Sequence, residues 1–400
     1  MGKLKKILSC AIILCIGSIC FVACGNYGNS GNCGDEGYDG DNLKWKLDDD
    51  GTLTISGTGK MANNGIGHSS KWLGKKESVK KVVIEDGVTS IGECAFYECS
   101  NMTEVIIPDS VTTIGFEAFS CCSSLKEIDI PDNVTTIEWD AFYRCKSLTE
   151  IVIPDSLQTI ERSVFSGCES LTEINIPDSV ESIKEFAFSS CKNLKKVTIP
   201  ETLKECEKGA FGNTEFFKDN TRNNQPLIIN DIVVDGSGCT DEVIIPEGVT
   251  EIGKEAFAGT EYYDHESIHS IVLPDSIRTI RENAFVYCKD LEDINLPEGL
   301  ETIEQGAFKG CNDLMGIMVL PKSLKNFSSC LPINVTGLLV QNSELDISVV
   351  SDKNVGIYAD SGSKAQEYAE ENGLEFESLD DSNFWDIFIL DDKGRLDFRM

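Results

Sequence analysis

A period of 23 residues constrains this chain more than any other feature. Prolines stand at Pro108, Pro131, Pro154, Pro177 and Pro200, each 23 positions after the last. Phenylalanines keep the same step at Phe96, Phe119, Phe142, Phe165, Phe188 and Phe211. Isoleucines do so at Ile91, Ile114, Ile137, Ile160 and Ile183, and cysteines at Cys99, Cys122, Cys145, Cys168 and Cys191. Four residue types locked to one period mean a stack of like units. The period continues with interruptions. Pro200 to Pro246 spans 46 residues, or two units, and Pro246 to Pro274 spans 28, one unit with a five-residue insertion near Glu261–Glu266. Pro274 to Pro297 is 23 and Pro297 to Pro321 is 24. The stretch 212–242 leaves the template but keeps the length of about one coil, and its PLIINDIVVDG predicts a strand pair with a turn.

One unit, residues 125–147, reads LKEIDIPDNVTTIEWDAFYRCKS. Its Leu-x-x-Ile-x-Ile segment alternates apolar and polar residues, the mark of a strand with one buried face. Proline ends the strand because it lacks an N–H for the next ladder bond, and Pro-Asp-Asn turns the chain. Val-x-x-Ile and Ala-Phe then return it along the opposite side. About seven apolar positions in such a unit cannot offset the entropy of 23 ordered residues. Stacking identical units at the spacing of neighbouring strands lays each apolar side chain on its counterpart, so the array can fold where one coil cannot. The expectation is an elongated, curved solenoid of about eleven coils.

The pattern IxIPxxVxxIxxxAFxxC resembles the bacterial BspA-type leucine-rich-repeat family, over residues 79 to about 336. WKLDDDGTLTISGTGKM, residues 45–61, is similar to the hairpin common before such arrays. VGIYADSGSKAQEYAEENGLEF, residues 355–376, is similar to their closing segment, with a short helix at Ser363–Asn372. The resemblance implies a β-rich leucine-rich-repeat solenoid, a right-handed array with a β-hairpin N-cap and a short helix in the C-cap. It also implies a surface protein that binds host or microbial macromolecules.

Outside the repeats, Lys3, Lys5 and Lys6 precede the apolar run ILSCAIILCIGSICFVA, the pattern of a secretory signal. The run ends in Phe21-Val22-Ala23-Cys24-Gly25, which resembles a bacterial lipobox with Phe21 in place of the usual aliphatic residue. The resemblance implies cleavage before Cys24, its lipidation, and anchoring at the outer face of a bacterial membrane. Residues 25–42 are Gly, Asn and Asp with little apolar content and read as a flexible tether. The expected organisation is thus a signal peptide at 1–23, a tether at 24–42, a β cap at 43–78, the solenoid at 79–336 with its irregular coil at 212–242, a C-terminal cap at 337–378 and an acidic, aromatic tail at 379–400. In that tail, FWDIFILDDKGRLDFRM reads as two short strands around Asp391–Gly394.

The chemistry follows from what the repeat positions carry. Sixty-seven acidic against 35 basic residues give a net charge of -32, which repels nucleic acid and anionic headgroups. Basic proteins, neutral glycans or divalent cations suit such a surface better, and the family resemblance points to host or microbial surface proteins or matrix proteins. Three histidines, His68, His265 and His269, lie outside the repeat positions, and no GxSxG, HExxH or Cys/His pair is present. No enzyme, metal or cofactor is therefore expected; the alternative is hydrolysis at the irregular 212–242 coil. The cysteine column recurs at Cys288 and Cys311 and gives way to Thr214 and Thr260, the behaviour of a small buried filler. A linear stack is not a tetrahedral zinc site. The sequence leaves open whether Cys94, Cys121 or Cys122 bridges between coils.

Glu104, Glu127, Glu150, Glu173 and Lys196 share one strand position. If the intervening residues face inward, they face out beside Ile106, Asp129, Val152, Asn175 and Thr198. These ten residues form the candidate partner-binding face, acidic and partly apolar. Its other readings are a solvated sheet face and, more weakly, a calcium site, since one sheet face rarely encloses six to eight oxygens. A second series, Asp109, Asp132, Asp155, Asp178 and Asp275 with Glu201, Glu247 and Glu298, follows the prolines and is expected to bond the turn backbone. The functional expectation is non-catalytic adhesion or recognition. The alternative is a structural spacer or surface-coat component.

Overall fold

The computed structural model describes residues 29–33, 42–63, 72–259, 267–328, 331–352, 354–380, 388–390 and 396–398. The leader, Cys24 and Thr260 lie outside the described residues. The chain is a β-solenoid of about thirteen turns, against the about eleven that the sequence predicts. The difference lies at the C-terminal end. There Gly316–Leu320, Val335–Val340, Gly356–Ala359 and Phe376–Ser378 continue the parallel ladder after the consensus residues have faded.

Each regular coil carries two short strands. The first column is Glu104–Ile106, Glu127–Ile128, Glu150–Ile151, Glu173–Asn175 and Lys196–Thr198. The second, which pattern reading took as simple return chain, is Thr113–Ile114, Thr136–Ile137, Thr159–Ile160, Ser182–Ile183 and Glu205–Cys206. Pairing is parallel and holds the 23-residue offset, as in Glu150 with Glu127 and Thr136 with Thr113. In-register stacking puts like on like in the interior. The rings from Phe96 to Phe211 form a column with successive centroids 5.2, 5.3, 5.6, 5.4 and 5.4 Å apart. Phe257, Phe285 and Phe308 form a second column at 5.5 and 5.4 Å.

On the return side the backbone alternates. Glu98, Cys121, Arg144, Ser190 and Asn213 hold positive φ at one repeat position, and Cys94, Glu117, Asp140, Ser163 and Phe186 at another. A left-handed non-glycine residue costs about 1–2 kcal/mol, so the conformation needs a return. The return is a hydrogen-bond ladder: the N–H groups of Cys94, Phe96 and Glu98 donate to Phe116, Ala118 and Ser120 of the next coil, all at 2.8 Å.

The N-terminal cap is the hairpin Leu43–Leu47 with Thr52–Gly57, turned by Asp48, whose carboxylate accepts from the Asp50 and Thr52 N–H groups. Thr52–Gly57 then pairs in parallel with Lys81–Ile84 and so serves as the first rung. Trp72 lies 5.8 Å from Phe96 and starts the aromatic column. Within the segment expected to be tether, Ser30–Asn32 adds an antiparallel strand to Leu43–Leu47 and Cys33 is buried. The physical reason is local: Gly31 has no Cβ, which leaves room for the Trp45 indole, and the strand covers an otherwise open sheet edge.

The period breaks at 212–242. Thr214 takes the cysteine position but caps an unforeseen helix, Glu215–Asn220, accepting from the Phe217 N–H at 2.9 Å. Phe216 meets Phe211 edge-on at 5.2 Å and ends the first ring column. The strand pair in PLIINDIVVDG is Leu227–Ile229 with Ile232–Asp235, turned by Asn230 and Asp231 at positive φ. Ile232–Asp235 then pairs in parallel with Glu251–Ile252 and restores the ladder. The helix Lys364–Asn372 near the C-terminus is capped by Ser363 and ended by Gly373 at φ 69°. In the tail, Phe388–Leu390 pairs antiparallel with Leu396–Phe398.

Candidate binding surface on the strand face

The first strand column sets the candidate surface. Alternation puts Val105, Ile128, Ile151 and Ile174 in the core and leaves Glu104, Glu127, Glu150, Glu173 and Lys196 exposed as one outward row. The neighbouring outward row is Ile106, Asp129, Val152, Asn175 and Thr198, all exposed except the half-buried Ile106. All ten sequence-derived residues therefore share one face.

Charge on this face is arranged rather than merely acidic. Lys81, the residue 23 positions before Glu104, pairs with it at 2.8 Å, and Lys196 pairs with Glu173 at 3.4 Å. The row of four carboxylates is thus closed by an ammonium at each end. Among the described residues, Glu127 and Glu150 in the middle make no ion pair. Strand neighbours stand about 4.8 Å apart, and like charges that close repel. The two central carboxylates are where an arriving cation gains most. Beside them Val152 is 75% exposed. Past the break the same row continues with Ile244 and Val272, also exposed. Lys81 is legible from the period alone, since it stands 23 residues before Glu104 and inside the array predicted from residue 79.

The cysteine column is chemically quiet. The thiols of Cys122, Cys145, Cys168 and Cys191 donate to the carbonyls of Phe96, Phe119, Phe142 and Phe165 in the preceding coil, at 3.1 to 3.4 Å. Cys288 and Cys311 do the same with Phe257 and Phe285. Burial pushes the Cys99 and Cys288 thiols up to about 12 and raises Cys145 and Cys311 further. Protonated thiols that are already hydrogen-bonded neither attack nor ligate well. The described residues contain no group of three His, Cys, Asp or Glu arranged around a metal position.

At the post-proline turns the bonding partner is serine, not aspartate. Ser110 Oγ donates to Val88 O at 2.8 Å and accepts from the Gly87 N–H, and Ser276 repeats the arrangement with Val249 and Gly248. Asp109 and Asp178 contribute main-chain carbonyls, which accept from Asn133 and Thr202. The expected carboxylate-to-turn bonds are not made among the described residues. A hydroxyl can donate to one coil while accepting from it, which a carboxylate cannot do.

In-register coils, with an apolar column inside and a short parallel strand outside, define a leucine-rich-repeat solenoid. The chain matches the BspA type leucine rich repeat region in six copies, over residues 70–179, 135–264 and 258–331, and it belongs to that family. Among solved structures it is similar to a leucine rich cell surface protein from Faecalibacterium prausnitzii A2-165. Identity there is 24%, with 90% of this chain and 97% of that one covered and a TM-score of 0.40. It is also similar to leucine-rich repeat proteins from Eubacterium ventriosum (23% identity, 74% and 92% covered, TM-score 0.38) and Bacteroides ovatus (20%, 85% and 98%, 0.35). No curated protein matches the chain.

Proposed function

We propose that this protein is a non-catalytic recognition or adhesion protein, exported, lipidated at Cys24 and displayed at the bacterial cell surface. Its contact face is the strand row from Glu104 to Thr198. The observation that carries the reading is the row itself: Glu127 and Glu150, which make no ion pair among the described residues, stand beside exposed Val152 and are flanked by lysines that close the ends. That combination suits a basic, partly apolar protein segment such as a host or microbial surface or matrix protein presents. The leader and the FVAC sequence support the anchor, and two or more acyl chains hold a protein where one does not. The test is capture of matrix and cell-surface proteins by the full chain in detergent, beside the double variant Glu127→Lys/Glu150→Lys. Binding lost in the variant is the expected result. Binding unchanged in the variant removes this face from consideration, and no partner captured by either leaves a spacer. Mass spectrometry of the mature N-terminus tests Cys24 separately.

A further inference from the structure

We propose that the outward face of the last coils is a docking site for the chain's own C-terminal hairpin, a strap that closes this end of the strand face and can detach from it. The proposal does not depend on what the row from Glu104 to Thr198 binds.

The two outward rows change character at the C-terminal end. Ile317 and Val319 stand four and two residues before Pro321, as Glu104 and Ile106 stand before Pro108. Pairing carries the second row from Val319 to Leu339 and Tyr358, and the first from Ile317 to Gly337 and Gly356. Where earlier coils present carboxylates, these present apolar side chains. They are also hidden. In the second row Val152, Ile244 and Val272 are 75%, 53% and 42% exposed, whereas Leu339 is 2% and Tyr358 6%. An uncovered sheet face leaves its side chains as open as the first three, so something lies over the last two. The solenoid interior is not the cover. Ile317, Leu339 and Tyr358 form a small cluster of their own, with Val319 and Leu379 packed against it. The Tyr358 ring lies back across the glycines: a Cβ at Gly337 would stand 2.8 Å from its Cε2, and one at Gly356 3.2 Å from its Oη. The two glycines thus keep the ring low and the face flat.

The course of the chain says what the cover is. Phe376–Ser378 is the last parallel strand, and Leu379 follows it into the outer cluster, its N–H bonded to Ala359 O at 2.9 Å. Leu396–Phe398 lies against Gly316–Leu320, three ladder steps back from Phe376–Ser378. Three steps are about 14 Å, and the stretch from Leu379 to Phe388 reaches about 30 Å when extended. The hairpin is therefore within reach of the whole outer cluster. A two-stranded hairpin by itself is marginal in water, so this one needs a support. Its register sets Phe388 opposite Phe398 and Leu390 opposite Leu396, which gives one parity of the pleat four apolar residues. The face needs a cover and the hairpin a support. A small cluster apart from the interior holds the two together, so the strap opens more readily than the coils beneath it. Released, it uncovers an apolar continuation of the strand face.

The test is hydrogen exchange on the full chain. The amides of Phe388–Leu390 and Leu396–Phe398 should exchange more slowly than in the free peptide 381–400, yet about tenfold or more faster than those of Gly356–Ala359. Leu339→Glu should bring them to the rate of the free peptide while the helix Lys364–Asn372 keeps its protection. Val152→Glu, in the same row, should leave them as they are. Tail amides as fast in the parent as in the free peptide overturn the docking. Tail amides as slow as those of Gly356–Ala359 overturn the detachment, and no response to Leu339→Glu overturns the site. If Leu339→Glu also unfolds the helix, a chain ending at Asp380 decides: it should bind an apolar dye that the parent does not, and equal binding overturns the proposal.

Discussion

The coils from Phe96 to Phe211 and the stretch 212–242 solve the same problem in opposite ways. In the regular coils each stabilising contact is repeated from coil to coil: phenylalanine on phenylalanine, cysteine to phenylalanine carbonyl, isoleucine on isoleucine. At 212–242 every column stops and a single-use substitute takes over. Thr214 bonds Phe211 of its own coil at 2.6 Å instead of reaching back. Asp235, buried, accepts from the Gly209 N–H at 2.9 Å, where a regular coil would offer a carbonyl, and also from the Ser237 N–H. Lys208 spans the interruption and donates to Ala258 O at 2.6 Å. Burial lowers its pKa, against the pull of Asp235. The buried core divides at the same place, one part running from Cys33 to Val234 and the other from Val233 to Leu374. Repetition makes a coil tolerant of its neighbours; a splice depends on particular atoms.

Alkali should separate the two parts most strongly. A thiol whose pKa is raised on folding contributes stability below the usual thiol range and loses it as pH climbs toward its folded value of about 12. Between those limits the unfolded chain sheds protons that the folded chain keeps, so stability falls with rising pH. Several such thiols acting together should remove several kcal/mol between neutral pH and about pH 10. Burial raises Cys94, Cys99, Cys122, Cys145, Cys168 and Cys206 in the part ending at Val234, against Cys288 and Cys311 beyond it. Hydrogen exchange at the two pH values should therefore show the first part opening first; equal opening of both would break the distinction.

Phe142→Ala, in the middle of the first ring column, should cost about 3–5 kcal/mol. It should lower the urea midpoint of residues 79–211 while residues 243–374 keep their exchange protection. Loss of protection throughout would mean that the splice transmits packing as well as a regular coil does. Asp235→Ala leaves two N–H groups without their acceptor and should cost about 2 kcal/mol. Its signature is proteolysis near 212–242 before any change at Phe142. Smallest, and opposite in sign, is Phe186→Asn: asparagine tolerates positive φ, so thermal stability should hold or rise by up to about 1 kcal/mol, read as a higher midpoint in calorimetry.

What could be read from the sequence tracks repetition. A column such as Phe119, Phe142 and Phe165 announces itself because each member predicts the next, and the ten strand-face residues follow from the same register. The helix Glu215–Asn220, Asp235 and Lys208 each occur once, so no period marks them. The last parallel strands, Val335–Val340, Gly356–Ala359 and Phe376–Ser378, keep the backbone pairing but lose the consensus side chains, which is why two turns went uncounted. Ser30–Asn32 is bound by its main chain and by what Gly31 lacks, neither of which a hydropathy pattern registers.

The return-side ladder has a direction. Every N–H of that series aims toward the following coil, and every matching carbonyl toward the preceding one. A bare array would therefore end in a socket of acceptors at one extremity and a plug of donors at the other, each fitting its opposite on another molecule. Trp72 fills part of that socket, with its indole N–H on Ala95 O at 2.8 Å. Trp72 thus closes the acceptor end, and only removal of both terminal segments should turn separate molecules into head-to-tail filaments.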